Sequence, residues 1–273
     1  MTPRPSSLAA GLALAAVAWL APVGAHAQAA APPKPAPAPS RIEPRADELM
    51  KKMSALLAKT KTFTLEAEES FDAEFANAYR IQLTNVRSLT LERPSRFVAT
   101  AKGDVANRNS WYDGKTLTVL SRKANAYAVL EMPGTIDAVL DKLAADYEVF
   151  LPLSDLLYAD PYPTMMTDVL YGKYLGVHEA AGVPCHHLSF GQEGVEWQIW
   201  IDSGAQPLPR KLAIAYWDQA GVPQYQATFR KWTLDPKVAS ERFAFEAPAG
   251  ARKVTLDELR AAALGALAVA PKP

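Results

Sequence analysis

Between Val86 and Glu131 apolar and polar side chains alternate in short runs: Val86–Glu92, Arg96–Lys102, Arg108–Asp113, Thr116–Ser121 and Ala126–Glu131. Turn residues separate them, at Arg93-Pro94-Ser95, Gly103-Asp104, Asp113-Gly114 and Lys123 to Asn125. Leu89 and Leu91 share one face with Arg87 and Arg93, while Ser88, Thr90 and Glu92 take the other. A period of two predicts an antiparallel sheet buried on one face. Asp113-Gly114 predicts a type I′ hairpin, in which both central residues take positive φ. The apolar face of such a sheet needs a cover.

Elsewhere the period changes. Pro44 opens a segment in which Ala46, Leu49, Met50, Met53, Leu56 and Leu57 recur at helical spacing, predicting one amphipathic helix that ends near Lys59-Thr60. Thr62–Ser70 and Tyr79–Thr84 read as the first two strands, with a turn around Asn77. After Glu131, Pro133-Gly134-Thr135 stops the sheet and caps a helix carrying Ile136, Val139, Leu140 and Leu143. The segment from Val149 to Leu170 is very apolar and broken by Pro152, Pro161 and Pro163, which forbid one long helix. Two helical pieces are expected in it, Leu153–Tyr158 and Met165–Leu170. A second meander follows: Tyr174–Glu179, Pro184–Phe190, Val195–Asp202, Arg210–Trp217 and Gln224–Thr233. Phe243-Ala244-Phe245 and Pro248-Ala249-Gly250 are expected to close the sheet, and Thr255-Leu256-Asp257-Glu258 is a capping-box pattern before a tail helix.

The sum is a mainly β (α+β) fold, a curled antiparallel half-barrel of about 11 strands with helices covering its concave face, since large antiparallel sheets twist and curl. The expected domain runs over residues 44–254, with a helical lid or plug at 135–170 and a tail helix at 255–273. Ahead of it, residues 1–27 read as a signal peptide: Arg4, an apolar core over Leu8–Leu20, and a cleavage site at Ala25-His26-Ala27. That core of about 13 residues is short of the ~20 that a membrane-spanning helix needs. Residues 28–43 are a Pro/Ala-rich linker with polyproline-II character. Export to the periplasm is the expectation.

Removing residues 1–27 leaves 246 residues with 28 basic and 29 acidic side chains. That balance argues against a nucleic-acid partner, whose binding rests on clustered Lys and Arg. One cysteine, Cys185, allows no internal disulfide, so the fold holds by burial. A monomer is expected.

Enzyme motifs are mostly absent: there is no Gly-x-Ser-x-Gly elbow, no phosphate-binding glycine loop, and His178-Glu179 has no second His at the zincin spacing. Cys185 and His187 share a strand face and His186 does not. A metal site there would have His178 as a third ligand across the hairpin and no fourth; the plainer reading is a small buried Cys beside a hydrogen-bonded His. Asp155 and Asp160 read as helix-capping and turn residues rather than paired acids. No metal, cofactor or catalytic residue is assigned. Trp197 and Trp200 fall on opposite faces of one strand, one for the core and the other for a hollow or a partner surface. Met165, Met166 and the run through Phe150, Leu153, Leu156 and Leu157 suit an apolar ligand, because such side chains repack around acyl chains. Ordinary core packing is the equal alternative.

Three motifs in order carry a resemblance: Leu91-Glu92-Arg93-Pro94-Ser95-Arg96-Phe97, Tyr112-Asp113-Gly114-Lys115-Thr116-Leu117, and Phe243-Ala244-Phe245-Glu246-Ala247-Pro248-Ala249-Gly250. The chain resembles the LolA/LolB-like periplasmic lipoprotein carriers over residues 44 to about 254. Leu151–Leu157, Cys185-x-His187-Leu188, Trp197-Gln198-Ile199-Trp200 and Pro207–Leu212 bring it closer to a family of predicted periplasmic proteins of unknown function within that superfamily. The resemblance implies an incomplete barrel whose apolar hollow takes lipid or lipoprotein acyl chains under a helical lid, with Arg93 locking the lid through backbone hydrogen bonds. It implies a lipid or a lipidated protein as partner. An envelope protein docking on the sheet is the alternative, with the hollow serving only as core.

Overall fold

The computed structural model describes residues 42–75, 79–104, 107–132, 134–149 and 153–261. The proposed signal peptide, the linker up to residue 41, the turn at Asn77, Phe150, and the end of the tail helix lie outside the described residues.

Twelve strands form one sheet: β1 Thr62–Phe75, β2 Tyr79–Glu92, β3 Arg96–Gly103, β4 Asn107–Tyr112, β5 Thr116–Ser121, β6 Ala126–Glu131, β7 Tyr171–Ala180, β8 Val183–Gln192, β9 Val195–Asp202, β10 Pro209–Tyr216, β11 Gln224–Leu234 and β12 Arg252–Lys253. Their order is β12-β6-β5-β4-β3-β2-β1-β11-β10-β9-β8-β7. The two meanders therefore join where β1 pairs antiparallel with β11. Among the described strands the short β12 alone runs parallel to its neighbour, β6, and an isolated parallel bridge joins Ile42 to Gly172. The outermost strands, β12 and β7, do not meet, so the sheet stays open. Register shifts at Glu66/Ala67, Tyr174/Gly176 and Pro209/Lys211 bend individual strands, as an extra residue on one side of a ladder does.

The alternation decides which face is buried. Phe63, Leu65 and Ala67 of β1 stand with Leu91 and Leu89 of β2, Phe97 of β3, Tyr112 of β4 and Leu117 of β5. All of these are buried. On the other half of this concave face stand Leu188 and Phe190 of β8, Trp197 and Ile199 of β9, and Leu212 and Ile214 of β10.

Three helices cover it. In α1 (Pro44–Lys59), Ala46, Leu49, Met50, Met53 and Leu57 are buried, as the helical spacing requires. Glu43, ahead of Pro44, ties the helix start to β7 by accepting from Tyr174 N and Lys173 Nζ, both at 3.0 Å. In α2 (Ile136–Tyr147) the Thr135 hydroxyl caps the start by accepting from Ala138 N at 3.2 Å. A 3₁₀ turn, Ser154–Leu157, and the short α3 (Pro161–Met165) complete the cover.

Four sequence expectations shift. Tyr79–Thr84 and Val86–Glu92 are one strand, because Asn85 stays in the ladder between Glu69 and Gly103 and is buried instead of marking a break. The second helical piece starts at Pro161, where Asp160 caps it by accepting from Tyr162 N and proline suits the first turn; it ends by Met166. At the β4–β5 hairpin Gly114 alone takes positive φ, +100°, and Asp113 makes the turn with its side chain, accepting from Lys115 N and Thr116 N. Phe243 lies at the end of a 3₁₀ turn, Ser240–Phe243, that crosses the convex face of β3–β6; Phe243–Phe245 adds no strand. There Phe245 packs on Trp111 and Tyr127 with ring centroids 5.1 and 4.9 Å apart. The capping box forms as expected, Thr255 N and Oγ1 donating to Glu258. The helical residues 256–261 bring Leu259 onto Ala126 and Ala128, and Arg260 donates to Tyr147 O, so this part of the tail is docked.

Candidate functional site

The concave face and its helical cover form one continuous apolar cluster. Leu153, Leu156, Met165 and Trp197 are buried within it; Leu157 and Met166 are partly buried against it. The residues selected from the sequence thus come together, except Phe150, which lies outside the described residues. They meet as packed core: helix side chains fill the concave face. A cavity of about 570 Å³ opens on the convex side, beneath the segment after β11, lined by Arg96, Trp111, Thr118, Tyr127, Phe243 and Phe245 among others.

The cover is clasped by polar contacts at its edges. Arg93, at the β2–β3 turn, donates from Nη1 to the carbonyl of Leu157 at 2.9 Å. Burial pulls the Arg93 pKa down, and the charge of Asp137 works the other way. Its Nε and Nη2 are buried with no hydrogen-bond partner among the described residues. Tyr158 Oη donates to Asp141 at 3.1 Å and Ala159 N to Asp137 at 2.9 Å, fastening the 3₁₀ turn to α2. Tyr162 Oη donates to Asp47, fastening α3 to α1. Burial pushes the Asp47 carboxyl up, but the hydrogen bonds from Lys51 and Tyr162 outweigh it and hold the pKa below the usual value. Gln192 Nε2 donates to Thr167 O, joining the end of β8 to the segment after α3. The hydrocarbon contacts of the cover are non-directional, whereas these few bonds fix its position.

One set of residues escaped the sequence reading. Glu69, Arg87 and Arg108 stand on the same concave face as the apolar residues, one register row apart. Arg87 binds Glu69 with two nitrogens, at 2.6 and 3.0 Å, and Tyr225 Oη donates to the same carboxylate at 2.8 Å. The signal was present in β2, where Arg87 shares a face with Leu89 and Leu91; the partners came from strands far away in sequence.

Cys185, His178 and His187 lie on the convex face. His187 Nε2 bonds Gln198 Oε1 at 2.8 Å, its Nδ1 faces His178 Nδ1 at 2.8 Å, and its ring stacks on Trp200 at 3.9 Å. Burial lowers the His187 pKa. Buried Cys185 Sγ donates to Val183 O, and burial raises its thiol pKa, away from the reactive thiolate. Among the described residues no group of three or more His, Cys, Asp or Glu is placed to hold a metal ion. Asp155 is buried inside the 3₁₀ turn, and Asp160 caps α3.

A family model described as "Predicted periplasmic protein (DUF2092)" matches residues 46–257. No curated protein sequence matches the chain. Among solved structures, an uncharacterized conserved protein from Thermus thermophilus is 10% identical with a TM-score of 0.45, covering 77% of this chain and 99% of that one. LprF from Mycobacterium bovis is 11% identical at a TM-score of 0.45, covering 76% and 99%. A LolA-superfamily protein from Nitrosomonas europaea is 8% identical at 0.34, covering 73% and 97%. Likeness at this level carries no functional assignment. Among the described residues no helix is long and apolar enough to cross a membrane.

Proposed function

We propose that this chain, which belongs to the DUF2092 family of predicted periplasmic proteins, is a non-enzymatic carrier that holds a lipid or lipoprotein acyl chain against the concave face of its open sheet. The observation that supports this most directly is the clasp between Arg93 and the Leu157 carbonyl. It pins a short, proline-broken cover, rather than a long helix, over an apolar wall. Short helical pieces have little stability of their own and draw it from packing. A ligand that supplies the same packing replaces them at small net cost.

The mechanism is exchange of apolar contacts. Each methylene taken from water is worth ~0.8 kcal/mol, so an acyl chain of ordinary length offsets the loss of the contacts made by Leu153, Leu156, Leu157, Met165 and Met166. Ligand and cover compete for one surface, and the polar clasps reset the closed position after release.

The test uses the mature chain and a fluorescent acyl probe. Leu157→Asp and Met166→Asp change partly buried cover residues and are expected to lower probe affinity while the β-sheet circular dichroism persists. Unchanged affinity in both, with the sheet intact, removes the assignment.

A second reading has one observation behind it. Edge strand β7 exposes Leu175 and Val177, at 44% and 54% of their surface, and Leu170 just before it is 49% exposed. An envelope protein partner docking on that edge fits those side chains. Recovery of a single stoichiometric protein from native envelope extract, with no lipid in the organic extract of the purified chain, favours that reading.

A further inference from the structure

The concave face changes character along its strands. Near the β2–β3 turn it is apolar apart from the Arg93 guanidinium, with Phe63, Leu91, Phe97, Tyr112 and Leu117 under the helices. Further along, polar side chains cross the strands on a diagonal: Arg87 on β2 and Arg108 on β4 two rows away, Glu69 on β1 three, Tyr225 on β11 four and Tyr216 on β10 five. The centre of this diagonal is self-sufficient, since Glu69, at 3% exposure, is satisfied by Arg87 and Tyr225.

Its two ends are not. The Tyr216 hydroxyl is buried with no hydrogen-bond partner among the described residues. Arg108 has no ion pair or side-chain hydrogen bond among the described residues. Its side chain is exposed and stands between the small residues Ala101 and Ser121 in its row. Two guanidinium groups against one carboxylate leave a net positive charge on this wall. Desolvation and the charge of Arg87 both work against the Arg108 cation, with only partial relief from Glu69. An anion reaching this exposed guanidinium would balance that charge, because arginine's planar fork meets a carboxylate or phosphate with two parallel bonds.

Resting on the carrier reading above, we propose that the ligand is an acidic amphiphile: its acyl chain lies under the helices and its carboxylate or phosphate stops at the diagonal, where Arg108 pairs with it. Arg87, in the same row across Ala101, is balanced by Glu69, so Arg108 carries the uncompensated charge. The wall therefore selects for a negative head group as well as for hydrocarbon.

The experiment compares matched probes on the mature chain. Binding of cis-parinaric acid and of its methyl ester is followed by fluorescence, and lysophosphatidylglycerol and lysophosphatidylcholine are compared by displacement of the bound ester. Wild-type protein is expected to favour at least one acidic member over its neutral counterpart by about threefold to fivefold, the worth of one exposed ion pair. The pair showing the preference tells carboxylate from phosphate. In Arg108→Gln the ratio should fall to near one, while Arg122→Gln, on the opposite face of the same sheet, should keep it. Equal affinity within both pairs in the wild type, or a preference that survives Arg108→Gln, overturns the inference and leaves the carrier reading standing. Binding of neither parinaric acid nor its ester removes both.

Discussion

Trp197 and Trp200 sit three residues apart on β9 and meet two different environments. Trp197 faces the concave side, fully buried, stacked on Phe190 at 4.4 Å within the cluster that joins sheet and helices. Trp200 faces the convex side, where it lies between His187 and Lys211 in a small patch with Ala180 and Cys185. The first indole is surrounded by side chains from several elements brought together only by folding. The second rests on its own neighbouring strands. The same residue type on the same strand thus serves a global core in one case and a local sheet surface in the other. The helical cover belongs to the first face alone.

The sharpest way to break that comparison is truncation. Trp197→Ala is expected to cost about 3–5 kcal/mol of unfolding free energy, as large-to-small changes in a filled core do. Trp200 is itself only 9% exposed, but its apolar neighbours form a small patch, so Trp200→Ala should cost less, about 2–3 kcal/mol. Urea denaturation of both variants measures the difference, and equal costs would erase the distinction between the faces.

A smaller effect sharpens how the concave cover is held. Arg93→Ala removes the bond to the Leu157 carbonyl and also relieves the burial of a cation, so a net loss of about 1 kcal/mol is expected. That loss should appear locally, as faster amide exchange at Leu156 and Met166, with the sheet amides of β1 and β2 unaffected. Exchange unchanged at both cover positions would mean that packing alone holds the cover.

The smallest effect belongs to the convex face. Burial holds the His187 pKa below 6.5, so the unfolded chain takes up this proton first as pH falls. Its contribution is therefore unpenalised above about pH 6.5 and becomes destabilising as the pH drops below that value. Melting temperatures measured from pH 7.5 to 5.5 should fall less steeply in His187→Gln than in wild type. Parallel slopes would show that this imidazole does not govern acid sensitivity.

Local pattern determined a good deal of this protein. The alternation from Val86 to Glu131, the α1 stripe, the Thr135 cap and the capping box at Thr255 all depend on residues within a few positions of one another, and all appear where their spacing puts them. The motif around Arg93 singles that residue out, and the structure puts its Nη1 on the Leu157 carbonyl. Tertiary structure alone decided the rest. No short-range pattern pairs β1 with β11, since the free energy of that seam comes from side chains more than 150 residues apart, and no spacing says that the segment around Phe243 crosses the convex face instead of joining the sheet. The polar residues of the concave face have the same origin: Glu69, Arg87, Arg108 and Tyr225 come from four different strands, and only strand pairing puts them on one face.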